Sequence, residues 1–355
     1  MTSRRVEIRQ ARTGPEVQKG QTLLEAALAA GIPYPHGCRS GRCGACKSRL
    51  IEGEMELLPH SRFALTDEEK ADGLILACRA LPQTDAAVAW LGSAEDVLPS
   101  RRLSGVVTGL EDLTHDIKLL RITPMDGAAL HFAAGQYAQI GFDGHPARSY
   151  SMASRQGDSS LEFHIRRVLG GATSEYVHGA LRIGDKAGLE FPLGSSFLRQ
   201  HHSGPILCIA GGSGLAPIKS IVETALSHGM RQPIHVYFGV RAERDLYLVD
   251  HFQALARQNP HLAFTPVLSE APPTQHRRGF VTQAIAADLA DLDGWKAYIA
   301  GPPPMVDAAM EATFARGLRK EDMHADVFFT PQELSTPGRS NEAAIDDETQ
   351  RFESQ

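Results

Sequence analysis

The stretch Cys38-Arg-Ser-Gly-Arg-Cys-Gly-Ala-Cys46 decides how the N-terminal part of the chain folds, together with one distant cysteine, Cys78. This C-x4-C-x2-C…C spacing is the one that holds a plant-type [2Fe–2S] cluster. Gly41 and Gly44 lie inside the loop, where the backbone passes close to the inorganic sulfides and positive φ angles are favoured. We therefore predict four cluster ligands, which are Cys38, Cys43, Cys46 and Cys78.

Two other cysteine chemistries compete with this interpretation. Nothing in the sequence marks the chain as secreted, which disfavours a disulfide framework. Structural zinc sites usually show paired C-x2-C knuckles, whereas this chain has one such pair. The fifth cysteine, Cys208, lies in an apolar run and is predicted to be an inert, buried thiol.

The composition places limits on domain number and partners. The chain has 355 residues, of which 42% are hydrophobic, and a net charge of −6. This length suits two or three domains with separate cores. No segment is basic enough to indicate nucleic-acid binding. Because we find neither a signal-peptide pattern nor a run of 18 apolar residues, we expect a cytoplasmic protein that does not enter membranes. We also expect the protein to be monomeric on its own.

Changes in the pattern of apolar and turn residues along the chain divide it into three units and a tail. Residues 1–98 are typical of a small α+β unit. Residues 102–203 show short strands separated by turn residues, which favours an antiparallel β-barrel. Residues 204–334 alternate apolar strands with amphipathic helices and predict a parallel α/β sheet. The acidic end, residues 335–355, is predicted to be disordered, and we assign it no function.

Local signals place several elements inside these units. Thr22 and Glu25 have the spacing of a capping box that begins a helix. A short helix is predicted near residues 173–180 of the barrel. The first strand of the third unit, residues 206–210, is followed by a glycine-rich loop and a helix that ends at Gly229.

Two loops of the third unit are candidate nucleotide sites. Gly211-Gly-Ser-Gly-Leu-Ala-Pro217 follows a strand and begins a helix, a context that favours diphosphate binding. Such turns also occur for steric reasons alone, and the pattern is not G-x-G-x-x-G, which disfavours an ordinary Rossmann dehydrogenase. The second loop, Ala300-Gly-Pro-Pro-Pro-Met305, is expected at the same carboxyl edge of the sheet.

The charged residues that follow the second predicted strand of the third unit, at positions 241–245, affect the choice between NADH and NADPH. Asp245, or Glu243 as second choice, would accept hydrogen bonds from ribose hydroxyls and repel a 2′-phosphate. Arg241 and Arg244 act in the opposite direction, because either could pair with a phosphate. All four could also be solvated loop charges. NADH is the expected cofactor, with NADPH as the alternative.

Together these segments resemble the ferredoxin–NADP⁺ reductase superfamily with a plant-type ferredoxin fused at the N-terminus, over residues 4–330. Within it, the chain is similar to the reductase components of bacterial aromatic-ring-hydroxylating oxygenases, of the naphthalene dioxygenase type. The resemblance implies a multidomain fold: a β-grasp ferredoxin domain, an antiparallel flavin-binding β-barrel and an NAD(P)-binding α/β domain. It implies a [2Fe–2S] cluster, FAD and NADH as cofactors.

The resemblance also implies roles for individual residues. In Arg148-Ser-Tyr-Ser151, which matches the flavin motif R-x-Y-S, Arg148 would contact the FAD diphosphate. Tyr150 would stack on the isoalloxazine and Ser151 would lie near flavin N5, so these two are the candidate catalytic residues. The other implied contacts are Gly171, Thr173 and Ser174 for the FAD diphosphate, Gly212, Ser213, Gly214 and Pro217 for the nucleotide phosphates, and Gly301, Pro302, Pro303 and Met305 for the nicotinamide.

Two positions depart from the family pattern. Ala300 stands where the family often has a cysteine, so no thiol role is carried over. The terminal aromatic residue that would shield the flavin is Phe328 or Phe329, and 26 residues follow the second of these.

The expected function is electron transfer from NADH through FAD and the cluster to a Rieske-type aromatic-ring-hydroxylating oxygenase or its separate ferredoxin. Two alternatives stay open. One is a reductase for a di-iron monooxygenase or a deoxysugar-forming enzyme, and the other is an electron-transfer subunit that needs a partner to oxidise NADH. Four basic residues near the cluster loop either stay solvated or attract an acidic acceptor. They are Arg39, Arg42, Lys47 and Arg49.

Overall fold

Three main sheets, each with hydrophobic side chains packed against it, make up the described part of the protein. The computed structural model describes residues 3–91, 98–270 and 275–330. The predicted tail, residues 335–355, lies outside the described residues. The domain limits given above stay predictions.

The first unit is a mixed sheet with two short helices. Its elements are β1 (Ser3–Ile8), β2 (Glu16–Gln18), α1 (Leu23–Ala29), β3 (Lys47–Glu52), β4 (Met55–Leu57), α2 (Asp67–Ala71), β5 (Leu74–Leu76), β6 (Ala80–Pro82) and β7 (Ala86–Trp90). Five strands pair in the order β2-β1-β7-β3-β5, and β4 pairs with β6. The predicted capping box is present: the Thr22 hydroxyl accepts the N–H of Glu25, and the Glu25 carboxylate accepts the N–H of Thr22.

The second unit is an antiparallel, nearly closed barrel. Its elements are β8 (Arg101–Asp112), β9 (Ile117–Pro124), β10 (Tyr137–Gly141), β11 (Arg148–Ser151), β12 (Leu161–Arg166), α3 (Ala172–Gly179) and β13 (Lys186–Leu193). The strand order is β11-β10-β13-β8-β9-β12, and a bridge between Met152 and Phe163 joins the two edges. Strand β13 was missed from the sequence, because Gly188 and Pro192 are atypical of a central strand.

The third unit is a parallel six-stranded sheet. Its elements are β14 (Ile206–Gly211), α4 (Leu215–Ser227), β15 (Ile234–Val240), α5 (Val249–Gln258), β16 (Leu262–Leu268), β17 (Arg277–Arg278), α6 (Val281–Asp288), β18 (Lys296–Gly301), α7 (Pro303–Phe314) and β19 (Met323–Val327). The strand order is β17-β16-β15-β14-β18-β19. Every residue of β14 is buried, which is why this central parallel strand reads as a continuous apolar run.

The first unit contacts both of the others. Arg39 of the cysteine loop forms an ion pair with Glu190 of β13, with 2.5 Å between Nη2 and Oε1. The ring of Phe63 lies edge-on to Phe329, with 6.0 Å between centroids. The cysteine loop therefore lies where the barrel meets the parallel sheet. In the described helices we find none with the length and apolar character needed to cross a membrane.

We expect Thr22→Ala to destabilise the first unit by about 1 kcal/mol, because the start of α1 loses its side-chain cap. Urea unfolding would be followed by Trp90 fluorescence in a Trp295→Phe background, since the chain has two tryptophans. Thr13→Ala, an exposed change in the same unit, is the control. Equal midpoints for the two variants would contradict the role of the cap.

Candidate redox site at the domain junction

The four cysteines lie as two pairs. The N–H of Cys38 donates to Cys43 Sγ at 3.4 Å, and the N–H of Cys78 donates to Cys46 Sγ at 3.5 Å. Within residues 3–91, 98–270 and 275–330, no three His, Cys, Asp or Glu side chains form a single-ion site. A [2Fe–2S] core takes four thiolates, divided between two irons. Two pairs of thiols fit that requirement.

Backbone groups around the loop favour anionic sulfur. The N–H groups of Ser40 and Arg42 donate to Cys38 Sγ at 3.4 and 3.2 Å. Hydrogen bonding, first with the Cys43 thiol and then with these groups, lowers the pKa of Cys38 to about 4. Gly41 and Gly44 have φ angles of 74° and 69°, which only glycine adopts without strain. The loop therefore fits a cluster held by thiolates.

The flavin motif lies on β11 at the same junction. Ser151 is 8% exposed, and its Oγ donates to Asp326 Oδ2 of β19 at 2.7 Å. Tyr150 is half-buried and packs against the barrel core, whereas Arg148 is exposed and donates to the carbonyl of Ala147. The hydrogen bond between Ser151 and Asp326 joins the barrel to the parallel sheet.

Asp326 is a site residue that the sequence reasoning missed. Burial raises the pKa of its carboxyl to about 6, and the hydrogen bond from Ser151 only partly offsets this. An acidic residue in the final strand, two positions before Phe328, was the available signal. Tyr137 was also missed as a site residue, because it reads as an ordinary core tyrosine of a strand.

The start of α3 offers backbone donors rather than hydroxyl groups. The Thr173 hydroxyl donates to the carbonyl of Pro146 at 2.6 Å, and the Ser174 hydroxyl donates to that of Gly171 at 3.1 Å. Gly171 caps the helix without a side chain, and the first N–H groups of a helix have no acceptor within it. An anionic diphosphate fits this end through main-chain groups.

The two nucleotide loops pack directly on each other. A Cβ on Gly214 would lie 2.0 Å from the carbonyl oxygen of Ala300, and one on Gly211 would lie 2.5 Å from Met305 Sδ. These glycines are therefore needed for contact between the loops. Gly212, with φ of 54°, begins the short 3₁₀ turn that precedes α4. The remaining members, Ser213, Pro217, Gly301, Pro302 and Pro303, lie in the same two loops.

Asp245 is engaged within the chain. Its Oδ2 accepts the N–H of Ala242 at 2.9 Å, and its Oδ1 lies 3.6 Å from His115 Nδ1 of the barrel. The side chains of Arg241 and Arg244 are 74% and 77% exposed. The arginines are thus more available to a nucleotide than the carboxylate is.

The two terminal aromatic residues differ in their contacts. The N–H of Phe328 donates to the carbonyl of Gly301 at 2.8 Å, which keeps this residue beside the second nucleotide loop. Phe329 packs against Phe63 of the first unit. Phe328 is therefore the better placed of the two to cover a flavin.

The basic residues near the cluster loop are engaged inside the chain. Lys47 Nζ lies 2.6 Å from Glu69 Oε1, and Arg49 Nη1 donates to the carbonyl of Asp72 at 2.7 Å. Arg39 pairs with Glu190, as described above. These internal contacts weaken the idea that the group serves mainly to attract an acidic acceptor.

Comparisons with known families agree with the three units. Residues 8–83 match the 2Fe-2S iron-sulfur cluster binding domain, residues 104–197 match the oxidoreductase FAD-binding domain, and residues 208–311 match the oxidoreductase NAD-binding domain. The predicted set of cofactors, a [2Fe–2S] cluster, FAD and a nicotinamide nucleotide, is confirmed by these matches.

Similar proteins span nearly the same length. The reductase component of naphthalene 1,2-dioxygenase/salicylate 5-hydroxylase systems from Ralstonia sp. is 40% identical, over 88% of this chain and 94% of its own. The phenol 2-monooxygenase reductase component from Pseudomonas sp. is 36% identical, over 93% and 95% of the two chains.

Solved structures show the same arrangement. The Amycolatopsis cytochrome P450 reductase GcoB is 35% identical, with a TM-score of 0.76 over 92% of this chain and 98% of its own. The ferredoxin reductase in carbazole 1,9a-dioxygenase is 28% identical, with a TM-score of 0.67 over 92% and 99%. The chain belongs to the ferredoxin–NAD(P)⁺ reductase family of iron–sulfur flavoproteins, among the reductase components of bacterial oxygenase systems.

Proposed function

We propose that this reductase oxidises NADH and delivers the electrons, by way of FAD and the [2Fe–2S] cluster, to an aromatic-ring-hydroxylating oxygenase or its separate ferredoxin. Two of its relatives serve naphthalene 1,2-dioxygenase systems by name. When bound, the flavin supplies the conversion between hydride and single-electron chemistry.

The observation that carries the proposal is that all three candidate sites meet at one junction. Ser151 of the flavin motif hydrogen-bonds Asp326 at the edge of the parallel sheet. On the paired strand, Tyr137 lies directly opposite Ser151 and extends toward Cys43 of the cluster loop. An electron path inside one chain needs this proximity, and three separated domains would not provide it.

The proposed roles follow from these positions. Tyr150 and Ser151 would contact the flavin ring, and Asp326 orients Ser151 through its hydrogen bond. The first N–H groups of α3, together with Arg148, would hold the FAD diphosphate. The loops around Gly214 and Gly301 would hold the dinucleotide, and Phe328, next to the second loop, would cover the flavin ring. The cluster is held by Cys38, Cys43, Cys46 and Cys78.

NADH remains the proposed donor. Asp245 places a carboxylate at the end of β15, next to Arg241 and Arg244. The carboxylate disfavours a 2′-phosphate, while the two exposed arginines favour one. We expect a higher kcat/KM for NADH than for NADPH, measured by dye reduction under steady-state conditions. A higher value for NADPH would contradict the proposed donor.

Anaerobic titration with NADH tests the whole path. We expect flavin absorbance to bleach and the cluster to become reduced in the same purified chain, without any partner. The cluster can be followed separately by its EPR signal. Flavin reduction with a permanently oxidised cluster would contradict the path, and no flavin reduction at all would support a subunit that depends on a partner.

A second candidate acceptor is a monooxygenase. The phenol 2-monooxygenase and propane 2-monooxygenase reductase components are 36% and 35% identical to the chain over 93% and 89% of its length. Reconstitution with a purified Rieske oxygenase and with a di-iron hydroxylase, compared at equal reductase concentration, distinguishes the two. Faster coupled turnover with the hydroxylase would overturn the first assignment.

We expect Gly214→Ala to raise the KM for NADH roughly tenfold or more, because the new methyl forces the two nucleotide loops apart. The control is Gly179→Ala, where an added Cβ meets no atom within 4 Å. Steady-state kinetics with saturating dye would give both values. Identical KM values in the two variants would show that contact between the loops does not shape the nucleotide site.

Asp326→Asn tests the electrostatics of the junction through stability. Its folded pKa of about 6 lies above the unfolded value, so ionisation opposes folding, and stability falls as pH rises from about 4 to 7. The variant keeps an acceptor for Ser151 but cannot ionise. We expect the free energy of unfolding of the variant to exceed that of wild type by on the order of 1–2 kcal/mol at the upper end of this window. This figure is smaller than the full pKa shift implies, because the carboxyl is partly exposed.

The measurement is urea unfolding of the third unit at pH 4 and pH 7, followed by Trp295 fluorescence in a Trp90→Phe background. Asp307→Asn, an acidic residue that pairs with Arg62 at another contact with the third unit, is the control. A difference between Asp326→Asn and wild type that does not change with pH would show that Asp326 titrates normally.

A further inference from the structure

One buried polar group at the junction lacks a partner. Tyr137 is 6% exposed, and its buried hydroxyl oxygen forms no hydrogen bond with any described residue. Leaving a buried hydroxyl without a partner costs about 1–3 kcal/mol. A cost of that size indicates that the group this hydroxyl faces supplies the missing acceptor.

The hydroxyl faces the cluster loop. A Cβ on Gly37 would lie 2.4 Å from Tyr137 Oη and 3.0 Å from Cys43 Sγ, so the oxygen and the sulfur border the same small space. On the other side, a Cβ on Gly194 would lie 2.8 Å from both Cδ1 and Cε1 of the ring. Two glycines thus leave room for the ring and let its hydroxyl approach the sulfur.

The acceptor strength of that sulfur depends on its chemical state. A thiol is a weak acceptor, whereas a metal-bound thiolate is anionic and accepts a stronger, charge-assisted hydrogen bond. The neutral phenol of Tyr137 carries the O–H group that such a hydrogen bond needs.

We propose that Tyr137 donates its hydroxyl proton to Cys43 Sγ in the loaded protein and is a positioning residue that raises the reduction potential of the cluster. This inference rests on the proposed function, because it takes Cys43 as a cluster ligand. Reduction adds negative charge to the cluster, so a donor to its sulfur stabilises the reduced state more than the oxidised one.

Tyr137 also lies close to the flavin motif. Tyr137 and Ser151 are directly opposite each other in the antiparallel pair of β10 and β11, so their side chains lie on one face. A residue of the barrel therefore spans the space between the flavin motif and a cluster ligand. The potential of the cluster is then set by docking of the first unit on the barrel.

The test compares Tyr137→Phe with Tyr237→Phe in the holoenzyme. Tyr237 is 2% exposed and donates to Asp288 in the third unit, which makes it a matched buried tyrosine in a different unit from the four predicted cluster ligands. We expect Tyr137→Phe to shift the equilibrium toward the oxidised cluster by roughly threefold to tenfold. For a one-electron couple this is a potential lower by about 30–60 mV. The flavin potential and the control should stay at their wild-type values.

A spectroscopic signature separates the hydrogen bond from a merely structural role. Pulsed EPR of the reduced cluster should show one exchangeable proton coupling in wild type and Tyr237→Phe that is absent in Tyr137→Phe. Gly37→Ala is the second variant, because its methyl would crowd both Tyr137 Oη and Cys43 Sγ and disturb their contact. It should lower the reduction potential of the cluster, as Tyr137→Phe does. It also provides the test if Tyr137→Phe fails to assemble the cluster.

The outcomes distinguish this inference from the function on which it rests. A wild-type potential and an unchanged proton coupling in Tyr137→Phe would refute the hydrogen bond and leave the proposed function standing. The absence of any iron–sulfur EPR signal in reduced wild-type protein would overturn the proposed function itself.

Discussion

Close contact between the cysteine loop and the flavin barrel is the constraint on which the rest of the structure depends. Gly37 and Gly194 have no side chain where Tyr137 passes between them, and the carbonyl of His36 accepts the N–H of Gly194 at 3.4 Å. A side chain at Gly37 would press the loop against the Tyr137 hydroxyl of the barrel, and a side chain at Gly194 would displace the ring of Tyr137. The backbones of the two units are therefore in direct contact at the boundary that the proposed electron path crosses.

The boundary between the barrel and the parallel sheet is fixed by buried polar contacts. Lys219 of α4 lies 3.3 Å from Glu162 of the barrel and donates to the carbonyl of Ala153 at 3.1 Å. Burial alone would raise the pKa of Glu162, but its hydrogen bond with His164 and the charge of Lys219 bring it below its usual value. Removing one member of such a buried group is costly, which keeps the flavin motif aligned with the nucleotide loops.

Local chemistry made much of the fold predictable. The capping box at Thr22, the short helix of the barrel and the glycine-rich turn after β14 depend on neighbours in the sequence, and the structure confirms each of them. Strand β13 was not predictable, because its pairing with β8 and β10 compensates for a glycine and a proline.

The site was predictable only where one segment carries the whole signal. The cysteine spacing and the two nucleotide loops are of that kind. Asp326 and Tyr137 could not be predicted in this way, because the role of each depends on a residue of another unit. Asp326 accepts a hydrogen bond from Ser151, and Tyr137 lies next to Cys43. Gly214 was predicted as part of a nucleotide loop, but its packing against the carbonyl of Ala300 on a distant strand was not.

Arg39 forms an ion pair within the chain, so a rate of electron transfer that depends on salt does not by itself indicate an acidic acceptor. Arg39 is 44% exposed on its side chain, and its partner Glu190 also lies 3.2 Å from Arg102 Nη2. Added salt weakens exposed pairs of this kind, so it acts on docking of the cluster loop against the barrel as well as on any encounter with an acceptor. A rate that falls with salt therefore reports the acceptor only when the step from flavin to cluster is measured separately and stays constant.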